Sequence, residues 1–271
     1  MTSSPSAVSG LKAWLAGAAA PLSLGVGLLL FWQFSVMYYA IPHYVLPSPV
    51  RIAMALGEDW VTLGLSLVST LRVTFIALFL AVTLGVLLAV LFTQWRWLER
   101  SLLPYAVVLQ VTPIVSLAPL IIIWVGDIQV ALLICAWLVA FFPILSNTIL
   151  GLNSADHNLV DLFEVYGATR WQKLVLLRLP SAMPYFLGGL KISGGLALIG
   201  AVVAEFVAGT GGVGSGLAFR ILESGYQLRI PRMFAALILI SLTGIAIYLA
   251  TNWVSWVFLH KWHDSAVKRE V

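Results

Sequence analysis

The chain has 271 residues, of which 61% are apolar and only 10% charged, with fifteen Lys and Arg against eleven Asp and Glu. A soluble domain carries roughly 25% charged residues because its surface faces water, so an all-α integral membrane protein is expected. The net charge of +4 does not point to nucleic acid, because the basic residues are scattered beside apolar runs, and the single Cys135 excludes an intrachain disulfide or a cysteine-rich metal site.

Crossing a hydrocarbon core of roughly 30 Å takes about 20 apolar residues as a helix. Six spans are expected, at 17–39, 70–94, 103–125, 128–150, 184–208 and 233–259, between a tail at 1–16 and another at 260–271. The first run is too long for a signal-peptide core and no convincing cleavage site follows it, so it is expected to be a span. Next comes Leu46-Pro47-Ser48-Pro49, in which Ser48 can cap a helix and Pro49 suits its first position, so a short surface helix is expected over 50–56. Glu58 and Asp59, like Arg229 and Arg232 later, read as solvated surface or as a contact for a partner.

In the third span, Gln110, Thr112 and Ser116 form a polar set beside Pro113 and Pro119. Prolines there free backbone carbonyls and permit an irregular helix, which membranes tolerate where it lines a cavity. This set is a candidate translocation path, with helix packing as the alternative.

Residues 154–182 form the longest charged segment between spans. Ser154 can cap a first helix, along which Leu159, Leu162, Phe163 and Tyr166 make one apolar stripe. Gly167 can take the left-handed conformation that ends it. Thr169 and Gln172 match a capping box that opens a second helix, whose apolar side is Leu174, Val175 and Leu177. Leu179-Pro180 is expected to end that helix, because a residue before proline is pushed out of helical conformation. The expectation is two short helices at an angle, at the membrane surface.

Glu205 is the only acid expected within a span, and it shares a four-residue period with Gly189, Ser193, Ala197 and Ala201. Small faces are where helices pack closely, so the carboxylate points into the bundle or a dimer interface. It is a candidate gate or pathway residue; a hydrogen-bonded structural glutamate satisfies the same pattern. The glycine-rich stretch 209–216 opens a surface loop, 209–231, with a short helix at 217–223. His260 and His263, at i,i+3, lack the further ligands that a metal centre needs and read as an interfacial tail.

Orientation follows from the basic residues. With the N-terminus in the cytoplasm, ten Lys and Arg fall on the inner side: Lys12, Arg96, Arg100, Arg170, Lys173, Arg178, Lys191, Lys261, Lys268 and Arg269. Five fall on the outer side: Arg51, Arg72, Arg220, Arg229 and Arg232. Both termini are therefore expected inside. Trp95, Trp97, Trp171, Trp256 and Trp262 lie near the expected inner span ends, as an interfacial belt would.

The charged segment also carries a recognisable spacing. Binding-protein-dependent ABC importer permeases have Glu-Ala-Ala, three residues, Gly, nine residues, Ile, one residue, then Leu-Pro. Here Asp161-Leu162-Phe163 stands at the first element, Gly167 fits, Leu177 replaces Ile, and Leu179-Pro180 fits. Together with Leu46-Pro47-Ser48-Pro49, Pro113 to Pro119 and Ala204-Glu205, the chain resembles the nitrate/sulfonate/taurine-type branch over roughly residues 40–260. The resemblance implies the type I importer (MetI-like) fold and a coupling element carried by Asp161, Glu164, Gly167, Ala168, Thr169, Arg170, Leu177, Leu179 and Pro180. It implies an inner-membrane location and a dimer of permease copies. Two ABC ATPase subunits would bind ATP and Mg, and a periplasmic or lipid-anchored binding protein would deliver the solute. No Gly-x-x-x-x-Gly-Lys-[Ser/Thr] phosphate loop occurs in this chain, so no cofactor is expected on it. A secondary transporter, the competing reading, would show matching inverted halves and a coupling-ion site at midplane, and neither is visible.

Overall fold

A computed structural model describes residues 7–260 apart from 210, 212 and 213, with side chains from Ser23 onward, Arg96 excepted. The tails at 1–6 and 261–271, with Lys261, Trp262, His263, Lys268 and Arg269, lie outside the described residues, as does the side chain of Lys12. The described chain is helical throughout: α1 (Ala7–Tyr38), α2 (Pro49–Glu58), α3 (Trp60–Gln94), α4 (Arg96–Val111), α5 (Ile114–Val125), α6 (Ile128–Leu152), α7 (His157–Val165), α8 (Arg170–Lys173), α9 (Leu179–Ala208), α10 (Leu217–Tyr226) and α11 (Ile230–Leu259). A π-helical turn, Leu174–Arg178, joins α8 to α9.

Four of these segments are long and apolar enough to cross a membrane: Trp60–Gln94, Ile128–Leu152, Arg170–Ala208 and Ile230–Leu259. The third expected span is not one straight helix. Trp97–Val111 and Ile114–Val125 meet at 104° and together could make a fifth crossing. Pro113 has no N–H and its ring collides with the carbonyl four residues back, and Thr112 before it is extended at φ −73°, ψ 123°. The described apolar part of α1, Ser23–Tyr38, is shorter than a full crossing.

The second expected span begins ten residues early, at Trp60 rather than 70. Thr62, Ser66, Ser69 and Thr70 lower the hydropathy of that stretch, yet three of their hydroxyls are satisfied by protein partners: Ser66 by Arg220, Ser69 by the Gly214 carbonyl and Thr70 by Glu205. The surface helix α2 forms as expected, with Ser48 accepting from the Arg51 N–H at 3.4 Å and Pro49 at its first position.

The centre of the bundle is the α6–α9 pair with α3 against it. The small face of α9 is buried as read from its spacing: Gly189, Ser193, Ala197, Ala201 and Glu205 all face inward. Gly189, Ser193, Ala197 and Ala201 face α6 of the same chain, while Glu205 reaches α3 and α10. The Ser193 hydroxyl donates to the Ala140 carbonyl at 2.7 Å, and a methyl on Gly189 would come within 2.8 Å of the Pro143 carbonyl oxygen. Without side chains between them, the two backbones approach closely. Outward, α3, α9 and α11 present large apolar residues such as Phe79, Ile192, Leu249 and Trp253, the surface that lipid would cover. Since α9 is about 45 Å long at 1.5 Å per residue, α7 and α10, at its two extremities, mark opposite ends of the bundle.

Candidate functional site

At the α7 end, the local chemistry read from the sequence is largely realised. Gly167 has φ +66°, and the chain leaves α7 there, with the Gly167 N–H donating to the Glu164 carbonyl at 2.9 Å and Ala168 N–H to Phe163 at 2.9 Å. The capping box is complete: the Gln172 side chain accepts from the Thr169 N–H at 2.7 Å, and the Thr169 hydroxyl accepts from the Gln172 N–H at 3.3 Å. The first cap is Asp156, which accepts from the Asn158 N–H at 2.9 Å, and not Ser154, whose hydroxyl donates to the Gly151 carbonyl. Asp156 sits immediately before the first helical residue, where a carboxylate oxygen can reach an unpaired N–H.

Across the Gly167 turn, the Lys173 ammonium donates to Glu164 at 2.7 Å. That hydrogen bond, and then the Lys173 charge, hold the Glu164 carboxyl below its ordinary value. No residue of α7 is buried. Asp161, Leu162, Val165 and Tyr166 all lie open, and so do Thr169 and Arg170. Beside them, Glu99, Arg100, His157, Glu164 and Arg178 line a groove of about 1050 Å³.

The second helix does not end at Leu179-Pro180. Leu179 is helical, at φ −63°, ψ −46°, and the chain continues from Arg170 to Ala208. The π turn before it explains why. Widening to a five-residue bond, Leu179 N–H to the Leu174 carbonyl, makes room for a proline that an α-helical repeat would reject. The Ser181 hydroxyl then satisfies the Leu177 carbonyl at 2.9 Å. Leu174 and Leu177 are buried, while Val175, expected on the same side, is exposed. The element is one short helix and one long helix that runs on into the bundle.

At the α10 end, Glu205 is buried and both its oxygens are used. The Thr70 hydroxyl donates to Oε1 at 2.8 Å, and the Ala218 N–H donates to Oε2 at 3.1 Å. Thr70 in turn accepts from the Leu217 N–H at 2.9 Å. Gly216 lies against the carboxylate, and any side chain there would collide with it. Three elements, α3, α9 and α10, are thus clasped through one carboxylate. Thr70 gave a signal in the sequence: Thr62, Ser66, Thr70 and Thr74 repeat every four residues along an otherwise apolar helix, which places them on one face.

Asp59 and Arg232 are not simply solvated. Arg232 is 7% exposed and lies between Asp59 at 3.4 Å and Glu223 at 3.3 Å, and Glu223 also meets Arg220 at 3.0 Å. This network fixes α10 to α11 and to the α2–α3 junction. The polar set of the third span sits on the 104° bend. Gln110, Pro113 and Ser116 are exposed, and Thr112 donates to the Val108 carbonyl of its own helix at 2.7 Å. No hydrogen bond joins that set to Glu205 among the described residues. His260 stacks on Trp256 with centroids 4.5 Å apart at the helix end, while His263 is outside the described residues.

Comparison with known proteins gives a consistent result. Residues 81–255 match the family model described as "binding-protein-dependent transport system inner membrane component". The chain is 35% identical to a riboflavin transport system permease protein of Chloroflexus aurantiacus over 82% of each chain. It is also 35% identical to a formylaminopyrimidine transport permease protein of Halalkalibacterium halodurans, over 80% of this chain and 86% of that one. Permeases named for aliphatic sulfonates, taurine and nitrate match at 28%, 26% and 24% identity. Among solved structures, an amino acid ABC transporter crystallised with histidines superimposes with a TM-score of 0.61 over 76% of this chain and 96% of that chain, at 16% identity.

Proposed function

The chain belongs to the family of binding-protein-dependent transport system inner membrane components, and from that premise we propose that it couples an ATPase to solute movement through α7 and the Gly167 turn. As an ABC importer permease it is a multi-pass membrane protein, and its family works with an ABC ATPase and a substrate-binding protein. ATP and Mg would be bound by that ATPase and not by this chain.

The observation that carries the coupling reading is the state of α7. It is a capped, amphipathic helix with no buried residue, held at a fixed angle by Gly167 and the Glu164–Lys173 pair. Its Leu162, Val165 and Tyr166 are exposed. Apolar side chains are left open in that way where a partner covers them. Behind the turn, the continuous helix from Arg170 to Ala208 links this end to the Glu205 clasp. A push on α7 can therefore reach the opposite end without crossing a flexible joint.

In this reading the protein has six crossings, a cytoplasmic tail at each end, and a homodimeric arrangement with two ATPase subunits. The ten-to-five excess of Lys and Arg supports the orientation. The α7 end then faces the cytoplasm, and α10 with the loop at 209–231 faces the binding protein. The bend around Gln110, Thr112, Pro113 and Ser116 flanks the path, and Glu205 braces its outer end. The cargo is a small solute, for which the 35% identity to permeases named for riboflavin and formylaminopyrimidine favours a heterocycle rich in acceptor atoms over a sulfonate.

Gly167→Val tests this. A β-branched residue is strongly disfavoured at positive φ, so the angle of α7 changes while the bundle remains. ATP hydrolysis stimulated by the loaded binding protein should fall at least tenfold in the purified complex, with the thermal unfolding of the permease itself little changed. Full stimulated hydrolysis in that variant would refute the assignment.

A further inference from the structure

The α10 end also holds a cavity of about 900 Å³ between α3, α6 and the loop before α10. Its wall is an amphipathic face of α3 made by Leu65, Val68, Ser69, Arg72 and Ile76, positions that fall on one side of a helix, with Gln129 of α6 on the same lining. Arg72 is exposed on this wall and makes no hydrogen bond or ion pair among the described residues. The other cation on the lining, Arg220, is already taken by Glu223 at 3.0 Å and Ser66 at 2.9 Å. Among the described residues, no acid lines the cavity. Glu205 stands in the wall of a smaller neighbouring cavity that shares Gln129 and Gly214, with both oxygens occupied.

An uncompensated arginine within a span is costly and faces water or a ligand. Its guanidinium offers five donors and cannot be deprotonated. Set among apolar side chains, on a lining it shares with Gln129, whose amide donates to the Gly214 carbonyl at 3.4 Å, it can orient oxygen acceptors while the walls accept an apolar body. We infer that this cavity is a solute-recognition site in which Arg72 selects solutes that carry acceptor oxygens and no positive charge. The permease then contributes charge selectivity of its own, beyond that of the binding protein. As an account of transport the inference rests on the permease reading above, but the field at Arg72 can be read without it.

Val68, one turn before Arg72 and 63% exposed, is the probe position. Val68→Cys is placed in the full chain in lipid nanodiscs and labelled with anionic 2-sulfonatoethyl, cationic 2-trimethylammonioethyl and neutral 2-hydroxyethyl methanethiosulfonates. The parental protein supplies the blank, because its Cys135 is buried. Normalised to the neutral reagent, the anionic reagent should outpace the cationic one, and adding Arg72→Gln should reduce that ratio about tenfold, as expected for a unit charge within 10 Å at intermediate dielectric. An unchanged ratio in the Arg72→Gln background overturns the inference, and so does a cysteine unreactive toward all three reagents, which would mean a cavity closed to water. Neither ATPase nor binding protein takes part, so failure of the coupling reading leaves this measurement untouched.

Discussion

Thr70, Glu205 and Gly216 show how three residues far apart in sequence can share one polar contact inside an apolar bundle. Thr70→Val keeps the shape but removes the hydroxyl that donates to Glu205 and accepts from Leu217. A buried group left without its partner costs about 1–3 kcal/mol, so thermal unfolding in detergent should show a loss of about 2 kcal/mol. Glu205→Gln retains one carbonyl oxygen for two donors and should destabilise less than Thr70→Val. It should leave transport unchanged from pH 6 to 8 if the carboxylate only braces α10. A pH-dependent loss of transport in Glu205→Gln would instead give the charge a direct role.

At the scale of elements, the Gly167 turn is fixed by local chemistry and one ion pair. Lys173 lowers the Glu164 carboxyl below its ordinary value, so the pair's contribution is fully present above that ordinary value. It is lost as the pH falls through the lowered one. Lys173→Met should therefore increase amide hydrogen exchange in α7 at neutral pH, and the difference from wild type should vanish in strong acid. Equal protection at pH 7 would show that the caps alone hold the turn. These features were legible because they depend on neighbours: Gly167, the Thr169–Gln172 box and Ser48 each act within four residues. The helix that continues through Pro180 is hidden for the opposite reason. Whether a proline ends a helix depends on whether the preceding turn can widen, and the π turn at Leu174–Arg178 has no local signature. The third span broke at Pro113, while α5 carries Pro119 without a break, a distinction that propensity alone does not make.

Over the whole molecule, hydropathy located four of the six expected crossings because lipid imposes that pattern on a spanning helix, and the small face of α9 marked a close contact that α6 fills. What sequence reading missed lies in pairings across the bundle. Thr70 meets Glu205 and Asp59 meets Arg232, and nothing local to Arg72 reveals a cavity. The two ends carry different chemistry: an open amphipathic helix at α7, and a clasp, an ion-pair network and a cationic cavity at α10. The central claim is that the α7 end engages the ATPase, and site-specific crosslinking tests it most directly. A photocrosslinking amino acid at Val165 in α7, 84% exposed, should yield a covalent adduct with the ATPase subunit in the assembled complex, whereas one at Tyr226 in α10, 87% exposed, should yield none. An adduct from position 226, with none from 165, would contradict the account.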